Sequence, residues 1–218
     1  MKRALVIILA FISCFAAEAQ LRTIKPSKVI KVPDISYAAY ERNTDYYMES
    51  GSSQLFNELY DPGDNWYNCA NVGTPVASSY LSPQGSQSYK PSHLHDFNHE
   101  TAWVEGVSGY GVGQWVEYRF PAQQTKVTKI KILNGYVKSY KAWNENARVK
   151  RLKVYYNGKA VCILDLQNSR SMQIFNVGTL GNEYNAWKLR FEILDVYPGT
   201  KYKDTVISEI IFDGIGCL

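Results

Sequence analysis

The residues best suited to chemistry lie in one stretch, HLHDFNHETAWVEG at residues 93–106. It holds all three histidines of the chain: His93, His95 and His99. Two imidazoles one residue apart share a face of a strand, and a third histidine nearby could complete a zinc site. Oxygen-bearing side chains are interleaved with them: Asp96, Asn98 and Thr101. Because closely spaced oxygen ligands suit a hard cation such as calcium, the stretch predicts either a histidine site or a calcium-type loop.

An enzyme is one alternative, because Glu105, Asp195 and Asp204 could act as glycosidase carboxylates. Such a pair must stand about 5–9.5 Å apart, which spacing along the chain does not determine. The sequence contains no G-x-S-x-G elbow, no H-E-x-x-H motif and no recognisable Cys–His arrangement for nucleophilic catalysis. The carboxylates alone therefore support this alternative.

The first nineteen residues have the pattern of a signal peptide. Lys2 and Arg3 precede the apolar run ALVIILAFISCF, which is too short for a transmembrane helix. The small residues of AEA then precede Gln20. We predict residues 1–19 to be removed and the mature chain to be secreted, periplasmic or held at the cell surface. Cys14 in FISC offers a lipoprotein anchor as an alternative.

Charge gives little indication of a polyanionic partner. Without the leader, 22 basic and 19 acidic residues remain. Lysines alternate with apolar residues in KVTKIKIL, which is typical of a solvated strand face. We therefore expect no nucleic-acid partner and, since no second long apolar run follows, no transmembrane helix in the mature chain.

Three cysteines remain in the mature chain: Cys69, Cys162 and Cys217. Cys162 alternates in phase with Leu164 and Leu166, which places it inside as a small apolar residue. The other two flank the strand-rich region, and export permits a disulfide. We predict a Cys69–Cys217 disulfide and a reduced, buried Cys162.

The chain divides into two parts that differ in composition and in the spacing of apolar residues. Residues 20–75 are rich in tyrosine and polar residues, with one weak helix-like stretch, SSQLFNELY, and read as a mostly irregular arm or small subdomain. From residue 76 to 218, short alternating runs such as QWVEYRF and WKLRFEILDV predict strands. Asn157-Gly158 is a strong hairpin signal. The pattern predicts an all-β sandwich or jelly roll of about eight strands.

The motifs in this β region resemble a known family. PSHLHDFNHETAWVEG resembles a loop of discoidin domains, the factor V/VIII type C, galactose-binding-like fold. The order of TAWVEGVSGYGVGQWVEYRF, ILNGY, RLKVYYNGKAVCILDL and VISEIIFDG is similar to the glycan-binding translocation domain of streptococcal NAD glycohydrolase and its bacterial relatives. The resemblance covers about residues 76–214.

This resemblance implies a non-catalytic jelly roll with a structural cation, usually calcium. Asp96 and Glu209 would give carboxylates, and Thr101 its carbonyl and hydroxyl. Backbone carbonyls would come from His93, Asn98 and Ser208. Phe97 departs from the pattern, because such loops commonly have glycine there to allow a positive φ. A differently shaped loop or weak metal binding is the expected consequence.

The resemblance also implies a glycan or glycoconjugate ligand, bound by loops near the cation. The candidate ligand-binding residues are Trp103, Glu105, Tyr110, Asn134, Tyr136, Lys138, Trp143, Asn146, Arg148, Tyr197 and Asp204. Two of them have structural alternatives: Trp103 could be a core residue, and Arg148 could tie loops together through Asp195 or Glu105. A cell-surface protein-interaction module using the tyrosine-rich arm is a further alternative function.

Overall fold

The computed structural model describes residues 21–33, 42, 53–60 and 66–216, and strands dominate it. The strands are β1 (Thr23–Ile24), β2 (Lys28–Lys31), β3 (Val76–Ala77), β4 (Trp103–Val104), β5 (Trp115–Phe120), β6 (Lys126–Asn134), β7 (Ala147–Tyr156), β8 (Lys159–Asp165), β9 (Ser171–Leu180), β10 (Trp187–Tyr197) and β11 (Thr205–Ile215). The helices are α1 (Ser53–Tyr60), α2 (Trp66–Ala70), α3 (Tyr140–Glu145) and a 3₁₀ helix (Pro91–His95). Three strands have only two residues, which leaves eight longer ones, so the predicted all-β fold of about eight strands is confirmed.

The strands form two layers joined at one short contact. Their order is β2-β9-β6-β11-β7-β10-β5-β3, with β8 on β7, β1 on β8 and β4 on β11. Neighbours along this path are antiparallel except β11 and β7, which pair in parallel only at Thr205 and Val206. One layer is therefore β2-β9-β6-β11 and the other is β8-β7-β10-β5-β3.

The main core lies between these layers. Phe212 of β11 meets Tyr118 of β5 edge-on, with ring centroids 4.8 Å apart, and lies 6.2 Å from the ring of Phe191 of β10. Cys162 of β8 is buried in the same cluster as a free thiol, as its phase predicts. Face-to-face packing of two antiparallel layers is the β-sandwich arrangement.

The outer face of the β2-β9-β6-β11 layer is also buried. Side chains alternate along a strand, so Ile211 points away from the main core that Phe212 enters. It joins a second apolar cluster with Leu55 and Leu59 of α1 and Ile30 of β2. The described parts of the predicted arm are thus integrated into the domain: they add two strands and cover a sheet face. The helix-like stretch at 52–60 is confirmed as α1.

Two further predictions concern local chemistry. Asn157 and Gly158 both have positive φ, 48° and 82°, and join β7 to β8, so the predicted hairpin is confirmed. Cys69 is disulfide-bonded, while Cys217 lies outside the described residues, so the Cys69–Cys217 pairing stays a prediction.

The predicted leader, with Cys14, also lies outside the described residues. Of the helices in the ranges described, none has the length and apolar character that a membrane crossing requires.

Candidate functional site

The predicted cation loop follows the 3₁₀ helix and turns sharply at Phe97. Phe97 has a φ of 58°, the left-handed conformation for which glycine is usual. That conformation costs an L-residue roughly 1–2 kcal/mol. The ring of Phe97 meets Tyr67 and His95 edge-on, at 5.0 and 5.5 Å between centroids, and these contacts offset the cost. The loop therefore makes its tight turn with phenylalanine, and the expectation of a differently shaped loop or weak metal binding stays a prediction.

Five of the six predicted cation ligands come together here. The Asp96 carboxylate accepts a hydrogen bond from the Thr101 hydroxyl at 2.8 Å and lies 2.8 Å from His93 Nδ1. Glu209 Oε1 accepts the N–H of Asn98 at 2.8 Å. The structure thus places His93, Asp96, Asn98 and Thr101 around Glu209 of β11.

Glu209 is the most unusual group of the cluster. Its side chain is fully buried, and Oε2 has no hydrogen-bond partner in the part of the chain described. Burial, and then the neighbouring Asp96 carboxylate, raise the pKa of Glu209 well above its ordinary value. Two close carboxylates with one orphaned buried oxygen fit a hard cation, whose charge would compensate both.

The histidine alternative has less support. His93 faces Asp96, whereas His95 lies among the rings of Tyr67, Phe97 and Tyr118. Burial lowers the pKa of His95 to about 4, opposed by Asp96. Within the described ranges, no group of three or more His, Cys, Asp or Glu residues could hold a metal ion. The imidazoles therefore do not converge.

A cavity of about 200 Å³, here called the tyrosine cavity, opens beyond this loop. Its lining residues are Leu81, Gln84, Tyr89, Val104, Tyr136, Asn146, Tyr202 and Asp204. They come from the segment before the 3₁₀ helix, from β4, and from the turns around β6, α3 and β11. Three phenol rings and three polar side chains thus surround the apolar Leu81 and Val104.

Within the tyrosine cavity, Asp204 is the one charged lining residue. Its carboxylate makes no hydrogen bond or ion pair with the described residues. Asn146 is held in place by its amide, which donates to the carbonyl of Ala142 at 2.9 Å. Burial, and then Tyr136, raise the pKa of Tyr89. The cavity therefore offers a free carboxylate acceptor beside phenol donors.

Three of the predicted ligand-binding residues line this cavity: Tyr136, Asn146 and Asp204. Two others lie close to it. Lys138 Nζ lies 4.4 Å from the centroid of the Tyr136 ring. The backbone carbonyl of Tyr110 accepts a hydrogen bond from the hydroxyl of Thr205, the residue after Asp204, at 2.8 Å. The structure thus gathers part of the predicted set.

Trp103, Asn134 and Trp143 require correction, because the structure gives them internal contacts. Trp103 is fully buried and donates its indole N–H to the carbonyl of Ser79 at 3.0 Å. The Asn134 side-chain amide donates to the carbonyl of Val149 and accepts from its N–H, and the backbone carbonyl of Asn134 accepts the indole N–H of Trp143 at 3.0 Å. These side chains hold loops and strands together and are not on the cavity wall.

Arg148 and Tyr197 also have structural partners. Arg148 is almost fully buried and donates to Asn168 Oδ1 and to the carbonyls of Trp143, Asn146 and Pro198 at 2.8–3.2 Å. It therefore ties loops together, although not through Asp195 or Glu105. The Tyr197 hydroxyl donates to the carbonyl of Leu166 at 3.0 Å.

The candidate glycosidase carboxylates do not form a solvent-facing pair. Glu105 is fully buried, and its oxygens accept the N–H groups of Val107 at 2.9 Å and Thr205 at 3.3 Å. Burial raises the pKa of Glu105. Asp195 forms an ion pair with Lys150 at 3.0 Å, and only Asp204 reaches the cavity. Glu105 thus anchors loops through these hydrogen bonds. Its assignment as a ligand-binding residue is corrected.

Five lining residues were missed by sequence reasoning: Leu81, Gln84, Tyr89, Val104 and Tyr202. Leu81, Gln84 and Tyr89 belong to a segment with a tight turn. There the backbones of Gln84 and Gln87 form an isolated β-bridge, and Gly85 has a φ of 60°. Proline, glycine and polar residues in SPQGSQ signal that turn, but not its position beside β4. Tyr202 stands between two lysines in TKYKD, a pattern of an exposed aromatic residue.

Solved structures share this fold. The CBM32-1, CBM32-2 and M60 catalytic domains of Clostridium perfringens ZmpB match with a TM-score of 0.52 at 11% identity, covering 90% of this chain and 17% of that one. The CBM32-1 and CBM32-2 domains of ZmpB in complex with GalNAc match with a TM-score of 0.51 at 11% identity, covering 90% and 41%. This chain thus spans less than half of either. At such identity the likeness shows the fold alone.

Comparison by sequence is more specific. No curated protein sequence matches the chain. The sequence model of the family described as NAD glycohydrolase translocation F5/8 type C domain matches residues 66–213, more than half of the chain. The match includes the cation loop, the strands from β3 onwards and the described lining of the tyrosine cavity, so the chain belongs to the NAD glycohydrolase translocation F5/8 type C domain family.

Proposed function

We propose that the mature protein is an exported, non-catalytic glycan-binding module, and that the tyrosine cavity is its binding site. The observation that carries the proposal is the cavity itself, where Tyr89, Tyr136 and Tyr202 surround the Asp204 carboxylate, which none of the described residues pairs. Family membership supports it. The ZmpB domains of the same fold, which were solved in complex with GalNAc, are consistent with it.

The chemistry of the cavity suits a sugar ring. A pyranose has a C–H face that packs on phenol rings, and hydroxyls that donate to carboxylate or amide oxygens. Asp204 and the carbonyl groups of Asn146 and Gln84 would accept such hydrogen bonds. A shallow site that covers one small sugar gives an affinity of roughly micromolar to millimolar Kd.

The same geometry supports a binding role over catalysis. A glycosidase needs two carboxyl groups facing the scissile bond. Asp204 lines the cavity, but Glu105 is fully buried and bound by backbone N–H groups. Rotating Glu105 towards a substrate would leave those N–H groups unpaired.

We propose further that calcium stabilises the loop at residues 96–101. Asp96, Thr101 and Glu209 would hold it, together with the carbonyls of His93, Asn98 and Ser208. The Ser208 hydroxyl is engaged on the opposite side, where it donates to the Gly135 carbonyl at 2.9 Å, so only its carbonyl is available for this role. The loop leads through Ala102 into β4 and the cavity wall, so a fixed loop would fix that wall.

A glycan array probed with the mature chain, run beside glycosidase and NAD-hydrolysis assays, tests the proposal. We expect binding to one group of related glycans and no turnover. Turnover of a sugar or nucleotide substrate would contradict the non-catalytic role. An array without any bound glycan would contradict the glycan ligand and favour the protein-interaction alternative.

A further inference from the structure

A second cavity, of about 270 Å³, lies between the segment that enters β3 and the 3₁₀ helix. Its lining residues are Val72, Thr74, Pro75, Ser92 and His95. We call it the histidine cavity. It shares no lining residue with the tyrosine cavity, and none of the contacts described above uses its hydroxyl groups.

Three polar side chains converge on this cavity without partners. The hydroxyls of Thr74 and Ser92 make no hydrogen bond to the described residues. His95 makes none through either ring nitrogen, and its Nδ1 is buried. Thr74 is exposed and Ser92 is half-buried, so water can hydrogen-bond to their hydroxyls. The buried Nδ1 of His95 is different, because most buried polar side-chain groups in folded proteins are paired, and this atom needs an explanation.

The walls of the histidine cavity are held in place by their own contacts. The ring of His95 meets Tyr67 edge-on at 4.9 Å and lies at 6.0 Å over Tyr118. On the other side, Gly73 donates its N–H to the carbonyl of Arg119 at 2.9 Å, which fixes the segment of Val72 and Thr74 to β5. A ligand would therefore enter a formed site, with little ordering cost.

The lining also defines the kind of ligand. The described residues of the lining include no Asp, Glu, Lys or Arg, so they offer no counter-ion for a charged molecule. Two hydroxyls and an imidazole can each donate or accept hydrogen bonds, and Val72 and Pro75 offer an apolar surface. A neutral molecule with several hydroxyls and a C–H face matches this combination, and the volume admits a single sugar ring.

We infer that the histidine cavity is a second binding site, for a neutral polyhydroxy ligand such as one sugar residue or polyol. The inference does not depend on the tyrosine cavity, because the two sites have separate walls. It gives Thr74, Ser92 and His95 a role as ligand contacts.

The test is an NMR titration of the mature protein, with D-galactose and myo-inositol as probes. We expect saturable shifts at the amides of Thr74 and Ser92 and at the His95 ring. Thr74→Val should weaken this binding about 2- to 10-fold, the effect of losing one hydrogen bond to a neutral group. Thr179→Val is the matched control, since Thr179 is exposed on β9, and should change it less than twofold.

Further variants separate this site from the proposed function. Tyr202→Ala should leave the shifts at Thr74 and Ser92 unchanged, whatever it does to the tyrosine cavity. Ser92→Ala provides a second test should Thr74→Val disturb the fold, which the amide spectrum without probe will reveal. Absence of saturable shifts at these three residues with either probe overturns the inference, as does equal affinity in wild type and Ser92→Ala. Neither result affects the proposal for the tyrosine cavity.

Discussion

Arg148 is a buried cation whose partners are neutral oxygens. Its guanidinium donates to one side-chain amide and three backbone carbonyls, and burial lowers its pKa. The planar fork of arginine suits several fixed acceptors at once. We conclude that Arg148 fixes the loops around α3 and the end of β10, and with them the position of Asn146.

Replacing Arg148 therefore tests a structural role. Arg148→Met should lower the free energy of unfolding by about 2–3 kcal/mol, because buried carbonyls lose charged donors. Arg151→Met is the matched control, since the Arg151 side chain is 46% exposed and its ion pair with Asp195 is at 3.5 Å. That change should cost less than about 1 kcal/mol. Urea denaturation measures both, and equal effects would contradict the assignment.

Cys162 makes folding sensitive to alkaline pH. Burial raises the pKa of its thiol from 9.0 to about 11, opposed by Arg22. The folded pKa lies above the unfolded value, so this contribution to stability is complete below pH 9 and is lost as the pH rises towards 11. Between pH 8 and pH 10.5, wild type should lose about 2 kcal/mol more than Cys162→Ala in urea denaturation. Parallel losses in the two proteins would contradict it.

Phe97 provides a test of the left-handed turn. Phe97→Gly and Phe97→Ala both remove the ring contacts with Tyr67 and His95, but only glycine relieves the positive φ. The glycine variant should therefore be more stable than the alanine variant by about 1 kcal/mol. Thermal denaturation of the two variants decides this, and a more stable alanine variant would argue against the turn.

For single residues, the sequence predicts the structural role where that role depends on neighbouring residues in the chain. Alternation places Cys162 inside, and Asn157-Gly158 predicts its turn, because both depend on neighbours in the chain. Trp103 and Arg148 do not have such a pattern. Their burial depends on loops from distant parts of the sequence, so the family resemblance suggested ligand contacts where the structure has anchors.

Among the elements, α1 and β2 contribute buried contacts that precede the family match. Leu55 and Leu59 are one helical turn apart, and both are buried against the outer face of the β2-β9-β6-β11 layer. Glu58 on the same helix forms a 2.7 Å ion pair with Lys131, which is almost fully buried on β6, and a 2.9 Å pair with Lys28 of β2. This region precedes the family match at residues 66–213, yet it completes the sheet.

Leu59→Ala should therefore destabilise the whole domain, by about 2–4 kcal/mol, through loss of buried methyl groups and the cavity left behind. Gln54→Ala on the same helix is the control, because Gln54 is exposed. It should change the free energy of unfolding by less than about 0.5 kcal/mol. If Leu59→Ala leaves the urea midpoint unchanged, α1 is not part of the cooperative unit.

The strands were predictable from the alternation of apolar and polar residues. The packing of α1 on the outer face of the β2-β9-β6-β11 layer was not predictable. β11 contains three consecutive apolar residues, Ile210, Ile211 and Phe212, which is typical of a strand buried on both faces. The pattern therefore indicates that something covers the outer face. It does not identify what covers it, because the tyrosine-rich segment has only one weak helical stretch with which to bury that face.

For the whole molecule, the proposed cation predicts linkage between metal and folding. A ligand that binds only the folded state raises stability by mass action. Calcium at 100 times its Kd should add about 2.7 kcal/mol, and chelator should remove it. Glu209→Gln keeps the shape but removes one carboxylate charge and should abolish the shift in Tm. An equal Tm with calcium and with chelator would contradict the site, and a shift by zinc that His93→Ala removes would favour the histidine alternative.

The central claim is that the tyrosine cavity binds a glycan, and the affinity of matched tyrosine variants for the best glycan on the array tests it most directly. Tyr202 lines the cavity and is 41% exposed, whereas Tyr184 is 84% exposed and outside it. By titration calorimetry, Tyr202→Ala should weaken binding about 5- to 13-fold, since a lost aromatic contact is worth about 1–1.5 kcal/mol. Tyr184→Ala should bind as wild type does. Unchanged affinity in Tyr202→Ala and in Asp204→Asn, with both proteins folded, would contradict the claim.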